Sequence, residues 1–114
     1  MLGLMAKSYD ITIDQGSQFK MTVTYKGASG TSLIGASDTV AMQIRETKSQ
    51  TGAMILDCAA YLTINTTAVT LIIPSSITAT LTAPTGYYDM ELTQSGVVRR
   101  ILQGAYSLDT GVTN

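Results

Sequence analysis

Histidine and tryptophan are absent from this 114-residue chain, and Cys58 is its single cysteine. Without histidine the chain lacks the commonest general base and metal ligand, and a Ser-His-Asp or Cys-His arrangement is excluded. A single cysteine excludes an intrachain disulfide and gives no sign of an oxidising compartment. A zinc site would have to use Cys58 and carboxylates alone, which is an unfavourable ligand set. We therefore expect no enzymatic activity, no catalytic residues, no cofactor and no metal.

Charge is also scarce, because charged residues make up 13% of the chain and the net charge is −1. The only adjacent cations are Arg99 and Arg100, so nucleic-acid binding through phosphate neutralisation is disfavoured. No apolar run approaches the ~20 residues of a membrane span. The opening MLGLMAKS lacks the basic region and the long apolar core of a signal peptide. We expect a protein that is made and folds in a cytoplasm and binds neither nucleic acid nor membrane.

What the chain does have is alternation of apolar and polar residues with a period of two, the pattern of half-buried β-strands. The predicted strands span residues 9–14, 18–26, 40–45, 53–58, 61–65, 68–73, 88–93 and 97–108. Strands of this length with no long helix predict an all-β, Ig-like antiparallel β-sandwich of about 7–9 strands. We assign residues 1–8 to an N-terminal arm, 9–109 to the sandwich and 110–114 to a tail.

The core of this sandwich follows from the same alternation. Cys58 is expected to be a small buried hydrophobe rather than a reactive thiol. The side chains predicted to face inward are Phe19, Met21, Val23, Val40, Met42, Ile44, Val69, Leu71, Met90 and Ile101.

The last two strands form a predicted hairpin with Ser95–Gly96 as its two-residue loop, because glycine supplies the positive φ that such turns require. This register places Met90 opposite Ile101 on the inward face. On the outward face it places Glu91 opposite Arg100, a candidate cross-strand ion pair.

The segment before the hairpin resembles the corner between the fifth and sixth strands of an immunoglobulin-like sandwich. Ser75 is a candidate N-cap for one helical turn that carries Ile77 and Leu81 on one side, with a loop of short extended pieces as the alternative. Tyr87 or Tyr88, at the start of the next strand, is a candidate for a tyrosine-corner hydrogen bond, with simple packing as the alternative. The Cys…Trp…Cys core of antibody domains is absent.

The N-terminal segment is apolar yet lies outside the alternating pattern. Leu2, Leu4 and Met5 are candidate assembly contacts, because such side chains must be covered if the segment is ordered. They are expected to lie either on a neighbouring molecule, for instance by adding a strand to a sheet edge, or on their own domain.

Several fragments resemble a known family. They are YDITIDQG at residues 9–16, AMQIR at 41–45, YDMEL at 88–92 and VRRILQG at 98–104. Together they resemble small tailed-bacteriophage virion proteins, in particular the Ig-like N-terminal domain of phage baseplate upper proteins. The resemblance covers residues 8–109. The chain departs from it where Ala36 follows Gly35 in place of an aromatic residue, and the 114 residues do not include the coiled coil into which most baseplate upper proteins continue.

The resemblance implies a non-enzymatic virion structural protein in a symmetric, multi-copy assembly. Its partners would be other virion proteins and copies of itself, and it would act as a tail, baseplate or fibre-attachment adaptor located in the virion. A capsid decoration protein is the alternative within this class. A receptor- or carbohydrate-binding module is the alternative outside it, with exposed tyrosines as the stacking surface.

Overall fold

The structure, a computed structural model, describes residues 7–27, 29–35 and 37–111. Within these residues the chain forms nine strands, one helical turn (α1) and one 3₁₀ turn, in agreement with the predicted number of strands. The strands are β1 Lys7–Ser8, β2 Ile11–Asp14, β3 Phe19–Val23, β4 Thr39–Arg45, β5 Met54–Asp57, β6 Leu62–Ile64, β7 Val69–Ile73, β8 Thr85–Gln94 and β9 Val97–Asp109. The helical turn is α1 Ser75–Thr78, and the 3₁₀ turn is Ala59–Tyr61.

The strands form two sheets that pack face to face. The larger has the order β1-β9-β8-β4-β5, with β2 also paired to β9, and the smaller has the order β3-β7-β6. This division, with the fourth and fifth strands in the sheet of the last hairpin, is that of an immunoglobulin-like sandwich, so the predicted fold class is confirmed. One feature differs from the purely antiparallel prediction, because β1 and β2 run parallel to β9. The long chain between them supplies the connection that parallel pairing requires.

The core lies between the two sheets, and the alternating pattern predicts its members well. Complete burial of an aliphatic side chain contributes on the order of 1.5–3 kcal/mol before entropy is counted. Cys58 is fully buried, as predicted. Of the predicted inward residues, six are buried, Met42, Ile44, Val69, Leu71, Met90 and Ile101, and four are half-buried against them, Phe19, Met21, Val23 and Val40.

The β8–β9 hairpin turns where the sequence predicts, with Gln94 paired to Val97 across the two-residue loop. Both loop residues have positive φ, 49° at Ser95 and 83° at Gly96. Two successive positive φ angles give the turn whose twist matches that of the flanking strands.

A β-bulge in β9 changes the predicted register on the inward face. Glu91 lies opposite Arg100, as predicted, but Met90 pairs with Leu102 instead of Ile101. Ile101 is the extra residue of the bulge, and both it and Leu102 are buried. The bulge is favoured because it lets two consecutive apolar side chains enter the core, which regular alternation does not allow.

The chain enters the larger sheet by a close contact at Tyr9 and Asp10. The Tyr9 amide donates to the Gln103 carbonyl at 2.8 Å, and the Asp10 carboxylate accepts from the Ala105 amide at 3.0 Å. A Cβ atom at Gly104 would lie 2.1 Å from the Tyr9 carbonyl oxygen, so this approach of two backbones requires glycine. Among the described residues the larger sheet already includes Lys7, two residues before the boundary assigned from the sequence.

A buried hydroxyl ties α1 to the β2–β3 turn. The helical turn forms as predicted, but Pro74 occupies the N-cap position and Ser75, the predicted cap, is the first helical residue. Thr78 is fully buried, accepts from the Gly16 amide at 3.1 Å and donates to the Ser17 carbonyl at 2.8 Å. These bonds join two turns that are far apart in the sequence.

We predict that Gly104→Ala lowers the free energy of unfolding by about 1–3 kcal/mol, because the added methyl group would overlap the Tyr9 carbonyl. Urea denaturation of the purified domain measures this change. Gly27→Ala is the matched control, because a Cβ atom at Gly27 would meet only the Leu33 side chain at an ordinary 3.5 Å. Equal stability of the two variants would contradict the close contact.

Candidate functional site

The outward face of the larger sheet, here called the outer face, carries side chains from three neighbouring strands, β4, β8 and β9. Neighbouring strands bring its side chains together in three rows, because residues paired across strands share a face. The rows are Ala41-Glu91-Arg100, Gln43-Asp89-Gln103 and Arg45-Tyr87-Ala105.

The cations of the outer face are held by neighbouring side chains. Arg100 Nε lies 3.2 Å from Asp89 Oδ2, and its Nη1 donates to Gln103 at 3.3 Å. The predicted Glu91–Arg100 ion pair is therefore wrong, because Arg100 pairs with Asp89. Glu91 nevertheless lies directly opposite Arg100 in the strand register. A long side chain reaches the diagonal neighbour, two residues along the strand, as easily as the direct one. Both charged groups are about half exposed, so the pair adds at most ~1 kcal/mol to stability.

The other end of the outer face contains a second group of contacts. Arg45 donates from Nη1 to the Gly52 carbonyl at 2.8 Å and from Nη2 to Gln43 at 2.9 Å. The Lys48 ammonium lies 5.2 Å from the centre of the Tyr87 ring, within the range of a cation–π interaction. A partner would therefore meet side chains that are already oriented, which lowers the entropy cost of binding.

The tyrosines have different roles from those predicted. Tyr87 points outward and is exposed, whereas Tyr88 is buried and donates its hydroxyl hydrogen to the Tyr9 carbonyl, far away in the sequence. Burial raises the pKa of Tyr88, so its hydroxyl stays a donor throughout the physiological range. The predicted tyrosine corner does not form at either residue. The hydroxyl that reaches the loop before β8 belongs to Tyr106, which donates to Ala83 at 3.1 Å.

Exposed apolar side chains also occur at the tip of the β8–β9 hairpin. Val97 and Val98 are 49% and 56% exposed at the beginning of β9. Together with the outer face they offer a partner both apolar and polar contacts, a mixture typical of protein–protein interfaces.

The described residues contain no group of three or more His, Cys, Asp or Glu side chains placed to hold a metal ion. No helix among them is long and apolar enough to cross a bilayer. Burial, reinforced by the charge of Asp57, raises the pKa of the Cys58 thiol to about 12, so the thiol is protonated at neutral pH.

The predicted assembly contacts Leu2, Leu4 and Met5 lie outside the described residues.

Comparison with known proteins finds no matching family model and no matching curated protein. Among solved structures, the extracellular fragment of novel immune-type receptor 11 from Ictalurus punctatus, including its stalk region, is similar with a TM-score of 0.51 and 9% identity. The match covers 96% of this chain and 91% of that one. A structure of voltage-gated sodium channel β subunits gives a TM-score of 0.49 at 10% identity, with 97% of each chain covered. The receptor fragment supports the immunoglobulin-like fold, and at this identity the likeness concerns the fold alone.

We predict that Cys58 in the folded protein does not react measurably with a disulfide reagent such as DTNB at pH 8, because burial excludes the reagent and keeps the thiol protonated. One equivalent should react in denaturing urea, where the pKa returns to its ordinary value. The measurement is the absorbance of the released thiolate over time. Rapid, complete labelling without denaturant would contradict the burial.

Proposed function

We propose that this protein is a non-enzymatic structural component of a tailed-bacteriophage virion, present in many copies and bound to neighbouring virion proteins and to copies of itself. The sequence fragments that resemble baseplate upper proteins support this role, and the immunoglobulin-like fold agrees with it. Within the virion, a tail, baseplate or fibre-attachment adaptor is favoured over capsid decoration, because the resemblance is to a tail-tip domain.

The observation that carries the proposal is the pre-ordered outer face. Asp89 is paired with Arg100, and Arg45 donates to a carbonyl and to a side-chain amide oxygen, so a partner does not have to desolvate these groups as isolated charges. The face also carries both signs of charge and one exposed aromatic ring, Tyr87, a residue type enriched at interfaces. Such a surface suits a stable contact with another folded protein better than capture of a small ligand.

We predict that the protein is found in purified particles of the phage that encodes it, at a fixed copy number that fits the symmetry of a tail or capsid. Quantitative mass spectrometry of particles, and of separated tails and heads, measures both copy number and location. Absence from particles would contradict the proposal. Presence in heads alone would replace the tail adaptor with capsid decoration.

The outer face can be tested in the same particles. Tyr87→Ala combined with Arg100→Ala should lower incorporation, because these changes remove the exposed ring and the paired cation. Thr80→Ala is a control at an exposed position outside the outer face. Normal incorporation of the double variant would place the interface elsewhere.

We also predict that deleting Met1–Ala6 leaves the domain folded, with a nearly unchanged thermal midpoint, and lowers its incorporation into particles. The reason is that the apolar residues Leu2, Leu4 and Met5 are proposed to contact a neighbour. Calorimetry of the purified variant and its copy number in particles give the two measurements. Unfolding of the variant would instead assign the segment to the protein's own core.

A further inference from the structure

The sandwich is open along the side formed by β3. In the described part of the chain no strand pairs with the far edge of β3, because the smaller sheet begins there. Strands β3 and β7 pair residue for residue, yet only one of them is sealed from solvent. The inward side chains of β7 are fully buried, whereas the β3 side chains that pair with them are only partly buried. The pairs are Val69 with Val23, Leu71 with Met21 and Ile73 with Phe19.

This side of the domain contains a groove of about 540 Å³ between β3 and the segment of β1 and β2. Its lining is mixed, and the apolar part is here called the apolar floor. The polar part comprises Lys7, Asp10, Thr12, Lys20, Thr22 and Thr24. One wall is the edge of β3 that no described strand pairs with. An edge of unpaired amides and carbonyls beside an apolar floor is the binding site of an added β-strand. The apolar lining comprises Phe19, Met21, Val23, Tyr9, Ile11 and Leu102.

We propose that this groove, here called the β3 groove, accepts an extended strand from a second copy of the chain, namely its residues 1–6. The strand would pair with the free edge of β3 and place Leu2 and Leu4 on the apolar floor. This inference rests on the proposed function, because the multi-copy assembly is what brings copies of the chain into contact. It identifies the surface that receives the N-terminal segment.

The composition and length of the segment fit the groove. Met1–Ala6 contains no charged side chain, and Leu2 and Leu4 are two residues apart, so an extended strand presents both on one side. Six extended residues span ~20 Å, which matches the roughly 17 Å of the five-residue β3.

A second copy is favoured as the source of the added strand because β1 of the same copy lies on the opposite side of the groove from β3. Lys7 and Ser8 pair with Leu102 and Gln103 of β9, on the wall of the groove opposite β3. To reach β3 of its own copy, the preceding segment would have to leave β9 and reverse direction within six residues. Continued parallel pairing within one copy would instead lead along Val97–Ile101, away from β3.

The experiment compares the full chain with the full-length variant Leu2→Ser/Leu4→Ser by sedimentation velocity over a range of concentrations. Hydrogen exchange of the same samples reports protection along Phe19–Val23. We expect the unchanged chain to self-associate, with β3 protection that rises with concentration. The variant should associate at least about tenfold more weakly, since two leucines lose their burial. Gly3→Ser, between the two leucines and on the opposite side of the strand, is the matched control, because it adds a hydroxyl without removing an apolar side chain, and it should behave like the unchanged chain.

Three results would overturn the inference. They are a chain that stays monomeric at about 100-fold the concentration needed for detection, self-association unaffected by Leu2→Ser/Leu4→Ser, and protection that is independent of concentration or confined to Val97–Ile101. This experiment uses the isolated protein, so none of these results decides the proposed virion role. That role is tested separately by the copy number of the protein in particles.

Discussion

The contact between the backbones of Tyr9 and Gly104 holds the first described strands against β9. The missing side chain at Gly104 lets the Tyr9 carbonyl lie where a Cβ atom would be, and the buried hydroxyl of Tyr88 donates to that same carbonyl. Asp10 adds its carboxylate to the neighbouring amide of Ala105. Together these bonds hold β1 and β2 on β9, at the edge of the larger sheet.

Much of the fold is predictable from the alternation of apolar residues, because burial on one face demands it wherever a strand is half-buried. The hairpin turn was equally predictable, since Ser95–Gly96 supplies the required backbone conformation. The bulge at Ile101 was not, because two consecutive apolar residues fit either strand face until the core has been packed. The parallel entry beside β9 was also missed, since local pattern carries no information on which distant strand is the partner.

The sequence predicts which residues lie on the outer face, but it does not predict which hydrogen bonds and ion pairs they form. Alternation assigns Asp89, Glu91 and Arg100 outward, yet the choice of Asp89 as the ion partner depends on diagonal geometry in a twisted sheet. Tyr88 was singled out from the sequence for a local hydrogen bond and makes a distant one instead. Thr78 gave no signal at all, since a threonine in a short polar segment is ordinarily exposed. Its burial follows from the meeting of two turns that only the assembled sandwich brings together.

The open edge of β3 also bears on how the free protein avoids indiscriminate aggregation. Lys20 and Thr22 are the exposed side chains of this strand, and they alternate with its apolar ones. Parallel, in-register pairing of two such edges would bring Lys20 beside the Lys20 of a second copy, whereas an uncharged strand meets no such repulsion. Lys20 therefore disfavours association of identical β3 edges into fibres, and it leaves the edge open to a strand of different composition.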